Sequence, residues 1–175
     1  MMVMLAGLPG TGKSTLVRAL AERLPASAIV SKDLIRAAIF DPHLTPYSAA
    51  QDDFIMELML HAAASHLRGG ISIVFLDGRT FSREYQRQRV REFAASIGTE
   101  TRIIECVCVE SVVLSRIAAS RTHPAVNRTV DLYHRSVHTF APVPEPKLRI
   151  DTGRPLDQCV AEAIACLTAA SSRSR

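Results

Sequence analysis

Long apolar runs are missing from this chain. None approaches the roughly 20 residues a helix needs to cross a bilayer, and "ISIVFL" at 71–76 is among the longest. The opening "MMVMLA" is apolar, yet it has no basic leader and too short an apolar region for a signal peptide. The expectation is a cytoplasmic protein with no membrane partner. Cysteine is sparse: four residues, at 106, 108, 159 and 166, form no C-x-x-C pair and show no metal-ligand spacing with histidine. This points away from a disulfide framework and from zinc, toward reduced packing residues. Cys106 and Cys108 alternate within an apolar run, as strand residues would. Lysine is scarcer still, with Lys13, Lys32 and Lys147 set against 18 arginines and a net charge of +4. Arginine's planar fork suits phosphate oxygens. Codon bias in a GC-rich genome gives the same excess, so charge alone argues little for a nucleic-acid partner.

What remains is an ordinary globular composition: 175 residues, 47% hydrophobic and 22% charged, enough for one sizeable core. Short apolar runs alternate with amphipathic stretches. "VMLAG", "SAIVS" (27–31), "ISIVFLD" (71–77), "TRIIECVCVE" (101–110) and "LRIDT" read as strands. "KSTLVRALAERL" reads as a helix stopped by Pro25. "DLIRAAIF" (33–40) reads as a short helix capped by Ser31 or Asp33. Further helices are expected at 48–68, 82–98, about 111–121, 129–140 and 155–170. The alternation predicts an α/β architecture with a parallel sheet covered on both faces. No repeat or composition shift divides the chain, so residues 1–170 are expected to form one domain, with a flexible tail at 171–175.

The most informative stretch is "GLPGTGKST", residues 7–15, between a strand and a helix. It fits G-x-x-x-x-G-K-[ST], a loop whose backbone N–H groups form an anion nest. Gly7, Gly10 and Gly12 permit the sharp turn and close approach to phosphate oxygens. Pro9, Thr11 and Thr15 complete the loop. Lys13 brings charge to the β- and γ-phosphates, Ser14 offers a hydroxyl to Mg²⁺, and the helix adds its positive dipole end. The loop holds a nucleoside triphosphate; what happens to the triphosphate is decided elsewhere. A guanine-specific switch needs N-K-x-D, and the single asparagine, Asn127, precedes Arg128. A mechanical ATPase ends its third strand in Asp-Glu, and here Asp77 precedes Gly78. Transfer of a phosphoryl group to an acceptor remains, with water excluded by a closing lid.

"SKDLIR" (31–36) follows the second strand, whose C-terminal end opens on the same rim as the phosphate loop. Asp33 and Arg36 are three apart, hence on one helical face. The carboxylate could accept the proton of an attacking hydroxyl, and the guanidinium could hold an anionic acceptor group. Asp77 ends the third strand at that rim, where it could position Mg²⁺ through water or orient the acceptor. Arg79 and Arg83 follow, and one of them could touch the acceptor. "LSRIAASRTHPAVNR" (114–128) offers Arg116, Arg121 and Arg128 as lid cations for the charge that spreads over the transferring group. His134 and His138 could share a helix face but find no third ligand in the pattern.

Together, "GLPGTGKST", "SKDLIR", "FLDGRTFSREYQRQRVREF" and the arginine segment followed by "NRTVDLY" resemble the P-loop kinases. Within them, the chain resembles the polynucleotide-kinase-like and small AAA-type kinase group. The resemblance covers about residues 2–155. It implies a three-layer α/β fold with a five-stranded parallel sheet, the phosphate-loop strand central, and a small helical lid at about 114–128. It implies ATP and Mg²⁺ as cofactors, with Lys13 and Ser14 on the phosphates and metal. Asp33 would be the general base, Arg36 would hold an acceptor phosphate, and Asp77 would sit at the acceptor or metal site. Arg121 with Arg116 would serve the lid, and Thr152–Gly153–Arg154 would pack on adenine. The lid arginines are five apart, where the nucleic-acid kinases of the group place them four apart. The first expected acceptor is a polynucleotide 5′-hydroxyl; a small-molecule acceptor such as a sugar, antibiotic or metabolite is the alternative. An ATP-binding or ATP-hydrolysing regulatory module is the third.

Overall fold

A computed structural model describes residues 1–41, 43, 45, 47–119 and 129–169 of the chain. Five strands form one sheet: β1 (Met2–Ala6), β2 (Ser27–Ser31), β3 (Ile73–Asp77), β4 (Thr101–Val107) and β5 (Leu148–Asp151). Among the described residues, seven helices connect and cover them: α1 (Lys13–Arg23), α2 (Lys32–Ile39), α3 (Ala49–Arg68), α4 (Glu84–Ser96), α5 (Glu110–Ala119), α6 (Val130–Thr139) and α7 (Leu156–Ala169). The strand order is β2-β3-β1-β4-β5, and every pairing is parallel. β1 therefore lies at the centre, as the resemblance implied.

β1 and β3 up to Asp77 are apolar runs because both faces of the sheet are covered there. Side chains alternate along β1. Met2 and Met4 point into a core with Ile55, Met59, Leu76 and Phe81, under α3 and α4. Val3 and Leu5 point the other way, onto Phe75, Ile104, Leu16, Leu20 and Val160, under α1 and α7. Each such fully buried side chain contributes about 1.5–3 kcal/mol against conformational entropy. Two hydrophobic layers thus hold three layers of structure together. No helix among the described residues is long and apolar enough to cross a membrane.

Element boundaries follow local chemistry. Ser31, not Asp33, caps α2, its Oγ accepting from the Leu34 amide at 3.5 Å. Ser48 caps α3 in the same way. β3 begins two residues later than its apolar run because the Ile71 amide closes the end of α3, bonding the His66 carbonyl at 3.1 Å. β4 ends at Val107, so Cys108 lies beyond the strand and only Cys106 packs within it. All four cysteines are free thiols. The tail at 171–175 and most of the expected lid, including Arg121 and Arg128, lie outside the described residues.

Candidate active site

The parallel sheet brings five strand ends to one rim, and their order sorts the chemistry. β1 runs directly into the phosphate loop. On one side, Ser31 and Asp77 are register partners at the ends of β2 and β3, so Asp33 and Asp77 come to adjacent strand ends. On the other side, Val107 and Asp151 pair at the ends of β4 and β5, which delivers Thr152 and, from α5, Arg116. The loop lies between these two groups.

Its glycines are needed where the sequence put them. Gly10 and Gly12 hold φ of +84° and +81°. Gly7 holds φ +134°, and a Cβ there would stand 2.3 Å from the Cys106 carbonyl oxygen. Thr11 is buried and braces the turn through its hydroxyl, which donates to the Leu8 carbonyl at 2.8 Å. Lys13 Nζ donates to the carbonyls of Gly7 and Leu8 at 2.7 and 2.8 Å. Pro9, Gly12, Lys13, Ser14 and Thr15 face a cleft of ≈ 600 Å³.

Asp33, Arg36, Arg79 and Arg83 line the same cleft. Asp33 and Arg36 meet as expected, with Nη1 to Oδ1 at 3.5 Å on neighbouring turns of α2. Arg36 is buried and heavily engaged. Its Nε donates to Gln51 at 3.3 Å, its Nη2 pairs with Asp52, and Tyr47 stacks on it at 5.0 Å. Asp52 also receives Lys32 Nζ at 3.2 Å. Burial strips water from that ammonium and lowers the Lys32 pKa, against the pull of Asp52 and Asp33. Arg79 is buried too, and it binds Asp53 at 2.5 Å and the Asp52 carbonyl at 2.6 Å. Gly78, at φ +90°, lets the turn after β3 lie against α2, where a Cβ would meet Lys32 Cβ at 3.0 Å.

Asp77 is buried, and its Oδ1 has no hydrogen-bond partner among the described residues. Native structures rarely leave a buried carboxylate oxygen without a donor or cation. That orphaned oxygen fits a water or a hydrated cation, and the glycine cradle beside it fits a triphosphate.

Arg116 lies on the far side of the loop. Its Nη2 donates to the Thr152 carbonyl at 2.8 Å and its Nη1 to Thr152 Oγ1 at 3.2 Å. Thr152 in turn donates to the Thr11 carbonyl at 2.7 Å. Gly153 closes the turn, its amide bonding Asp151 Oδ1 at 2.9 Å. A second hollow of ≈ 390 Å³ lies here, lined by Gly12, Arg116, Thr152, Arg154 and Leu156. Arg116 thus shares a wall with Thr152 rather than with Asp33.

Sequence reasoning missed the α3 contribution. Asp52, Asp53 and Gln51 sit in a long amphipathic helix with no motif spacing to mark them. Tyr47 was equally silent, although its φ of +48° is rare for a bulky side chain. Leu132, Ser136 and Phe140, on and just after α6, also reach the cleft. Nothing in the sequence marks Asp52 as the shared partner of Lys32 and Arg36.

Residues 2–138 match the family AAA_33, an AAA domain. The chain belongs to that family. No curated protein matches it by sequence. Solved structures share its fold along nearly the whole length. A sugar kinase from a Janibacter species, solved unliganded, is 16% identical with a TM-score of 0.71, covering 95% of this chain and 93% of that one. The APS kinase of Mycobacterium tuberculosis, in complex with AMPPNP and APS, is 19% identical with a TM-score of 0.69, covering 95% and 96%. A gluconokinase from Sinorhizobium meliloti is 20% identical with a TM-score of 0.65, covering 98% and 94%. The five-stranded parallel sheet with helices on both faces is the P-loop kinase α/β fold of these structures.

Proposed function

We propose that the protein is an ATP-dependent kinase that passes the γ-phosphoryl group to a hydroxyl of a small-molecule acceptor. One observation carries this reading. A carboxylate held by a buried guanidinium, Asp33 with Arg36, faces the same cleft as the phosphate loop. A triphosphate on the loop and a hydroxyl at Asp33 would therefore meet across one space.

Each residue then has a task. Gly7, Gly10, Gly12 and Lys13 hold the donor phosphates, and the N-terminus of α1 adds its dipole. Thr152 and Gly153 flank the hollow suited to the adenine side. Arg116 steadies that wall, and Arg121 would serve from the lid. Asp33 takes the proton from the acceptor oxygen as that oxygen bonds to phosphorus and the bond to the ADP oxygen breaks. Ser14 and Asp77 would hold Mg²⁺, which when bound neutralises charge on the phosphates. Arg79 holds the acceptor wall by fixing α3.

The named neighbours support a small acceptor: a sugar kinase, an APS kinase and a gluconokinase share the fold. A polynucleotide 5′-hydroxyl, the first expectation from sequence, rests on sequence resemblance, chiefly the D-x-x-R after the second strand. A screen of hydroxylated small molecules and 5′-hydroxyl oligonucleotides with labelled ATP separates the readings. The proposal expects transfer to a small molecule and little to oligonucleotides. ATP hydrolysis that no acceptor stimulates would favour the regulatory module instead.

A further inference from the structure

The inner cleft is electrostatically closed. Lys32, Arg36 and Arg79 are buried or nearly so, and each is matched: Lys32 and Arg36 by Asp52, Arg36 also by Asp33, and Arg79 by Asp53. Three cations meet three carboxylates. Arg36 spends all three nitrogens on Gln51, Asp33 and Asp52, with a face on Tyr47. An anion reaching it must displace a carboxylate that already has a good partner, which returns little free energy.

Two cations of the same cleft are in a different state. Arg18 and Arg83 line it, both exposed, and neither guanidinium pairs with a carboxylate among the described residues. Arg18 stands four positions after Ser14 on α1, on the same helical face. Arg83 stands immediately before α4, at the end of the turn that starts from Asp77. They approach the cleft from different elements, one from the donor side and one from the acceptor side. A guanidinium without a carboxylate partner retains its capacity for bidentate binding of carboxylate or phosphate.

We infer that the acceptor carries an anionic group remote from its reacting hydroxyl, held by Arg18 and Arg83, while Arg36 is a positioning residue for Asp33. The inference rests on the kinase reading for its hydroxyl but not for its anion. The acceptor class is a hydroxylated carboxylate or phosphate, its uncharged end in the neutral inner cleft.

The test uses the full chain with the donor loop filled by AMPPNP and Mg²⁺, so that added anion cannot occupy the loop. Inorganic phosphate is titrated and the arginine side-chain N–H resonances are followed. Arg18 and Arg83 should shift together, Arg36 should not, and Arg18→Gln or Arg83→Gln should weaken phosphate binding about tenfold. A shift at Arg36 without one at Arg83, or phosphate affinity unchanged in both variants, overturns the inference. Matched acceptors with and without the anion, gluconate with glucose and glycerate with glycerol, add a turnover test. Wild type should favour the acid by about tenfold in kcat/KM, and Arg83→Gln should abolish that preference. Phosphate binding at Arg18 and Arg83 with no transfer to any hydroxyl would sink the kinase reading and leave the anion site standing. Transfer with equal preference for acid and neutral acceptor would do the reverse.

Discussion

Thr152 Oγ1 donates a hydrogen bond to the Thr11 carbonyl at 2.7 Å, joining the end of β5 to the phosphate loop across 141 positions of sequence. The same hydroxyl oxygen accepts from Arg116 at 3.2 Å, so one threonine links α5, β5 and the loop. Thr152→Val keeps the shape and removes both bonds. A lost buried hydrogen bond of this kind costs about 1 kcal/mol or somewhat more. ATP affinity, measured by titration calorimetry, should fall roughly fivefold to tenfold with the circular dichroism spectrum unchanged.

Gly7 makes a harsher prediction. An alanine there would put Cβ 2.3 Å from a backbone oxygen at φ +134°, and backbone cannot swing aside as a flexible side chain can. Gly7→Ala should displace the loop from β4 and lose ATP binding by at least about tenfold. Titration with a fluorescent ATP analogue would read it. The fold should persist, since both hydrophobic layers lie below the loop.

Asp52 neutralises Arg36 and Lys32 together. Its removal leaves two largely buried cations short of a partner, whereas an uncharged amide only weakens the pairing. Asp52→Ala should destabilise the protein by about 1–3 kcal/mol, and Asp52→Asn by less. Urea midpoints at constant slope would show the order.

Cys106 tests the buried centre of the sheet. Burial pushes its thiol pKa up to about 12, opposed by the charge of Lys13. At pH 8 roughly one molecule in ten thousand would carry the thiolate. Iodoacetamide should therefore label the partly exposed Cys108 and Cys166 first, and Cys106 only after unfolding. The sign for stability follows. The folded state keeps the proton to about 12 while an ordinary thiol loses it near 9.0, so this contribution is full below 9.0 and is lost as pH rises through 12. Mass spectrometry of labelled peptides checks the order of reaction.

How much of this could be read from the chain depended on whether a residue's role was local. The phosphate loop and the C-terminal ends of β2 and β3 are set by neighbours in sequence, and they fell where the motifs put them. The Asp33–Arg36 pair was visible because three positions on a helix is one face. Asp52, Asp53 and Tyr47 reach the cleft only because α3 crosses beside α2 and β3, and no local spacing records that crossing. Arg116 shows the same lesson from the other side. Its chain position after β4 suggested a lid cation, and tertiary packing puts its guanidinium on Thr152. Cys108 broke the strand alternation because α5 starts at Glu110 and draws the chain off the sheet.

Asp33 is the residue on which transfer to a hydroxyl depends. The decisive measurement is acceptor-dependent conversion of ATP to ADP by wild type and Asp33→Asn, with ATP affinity determined in parallel. The prediction is a fall in kcat of about 10²–10⁴ with ATP binding preserved, because the amide keeps the shape but cannot take the proton. Equal turnover in the two proteins would contradict the assignment of Asp33 as the base, and with it the meeting of donor and acceptor in this cleft.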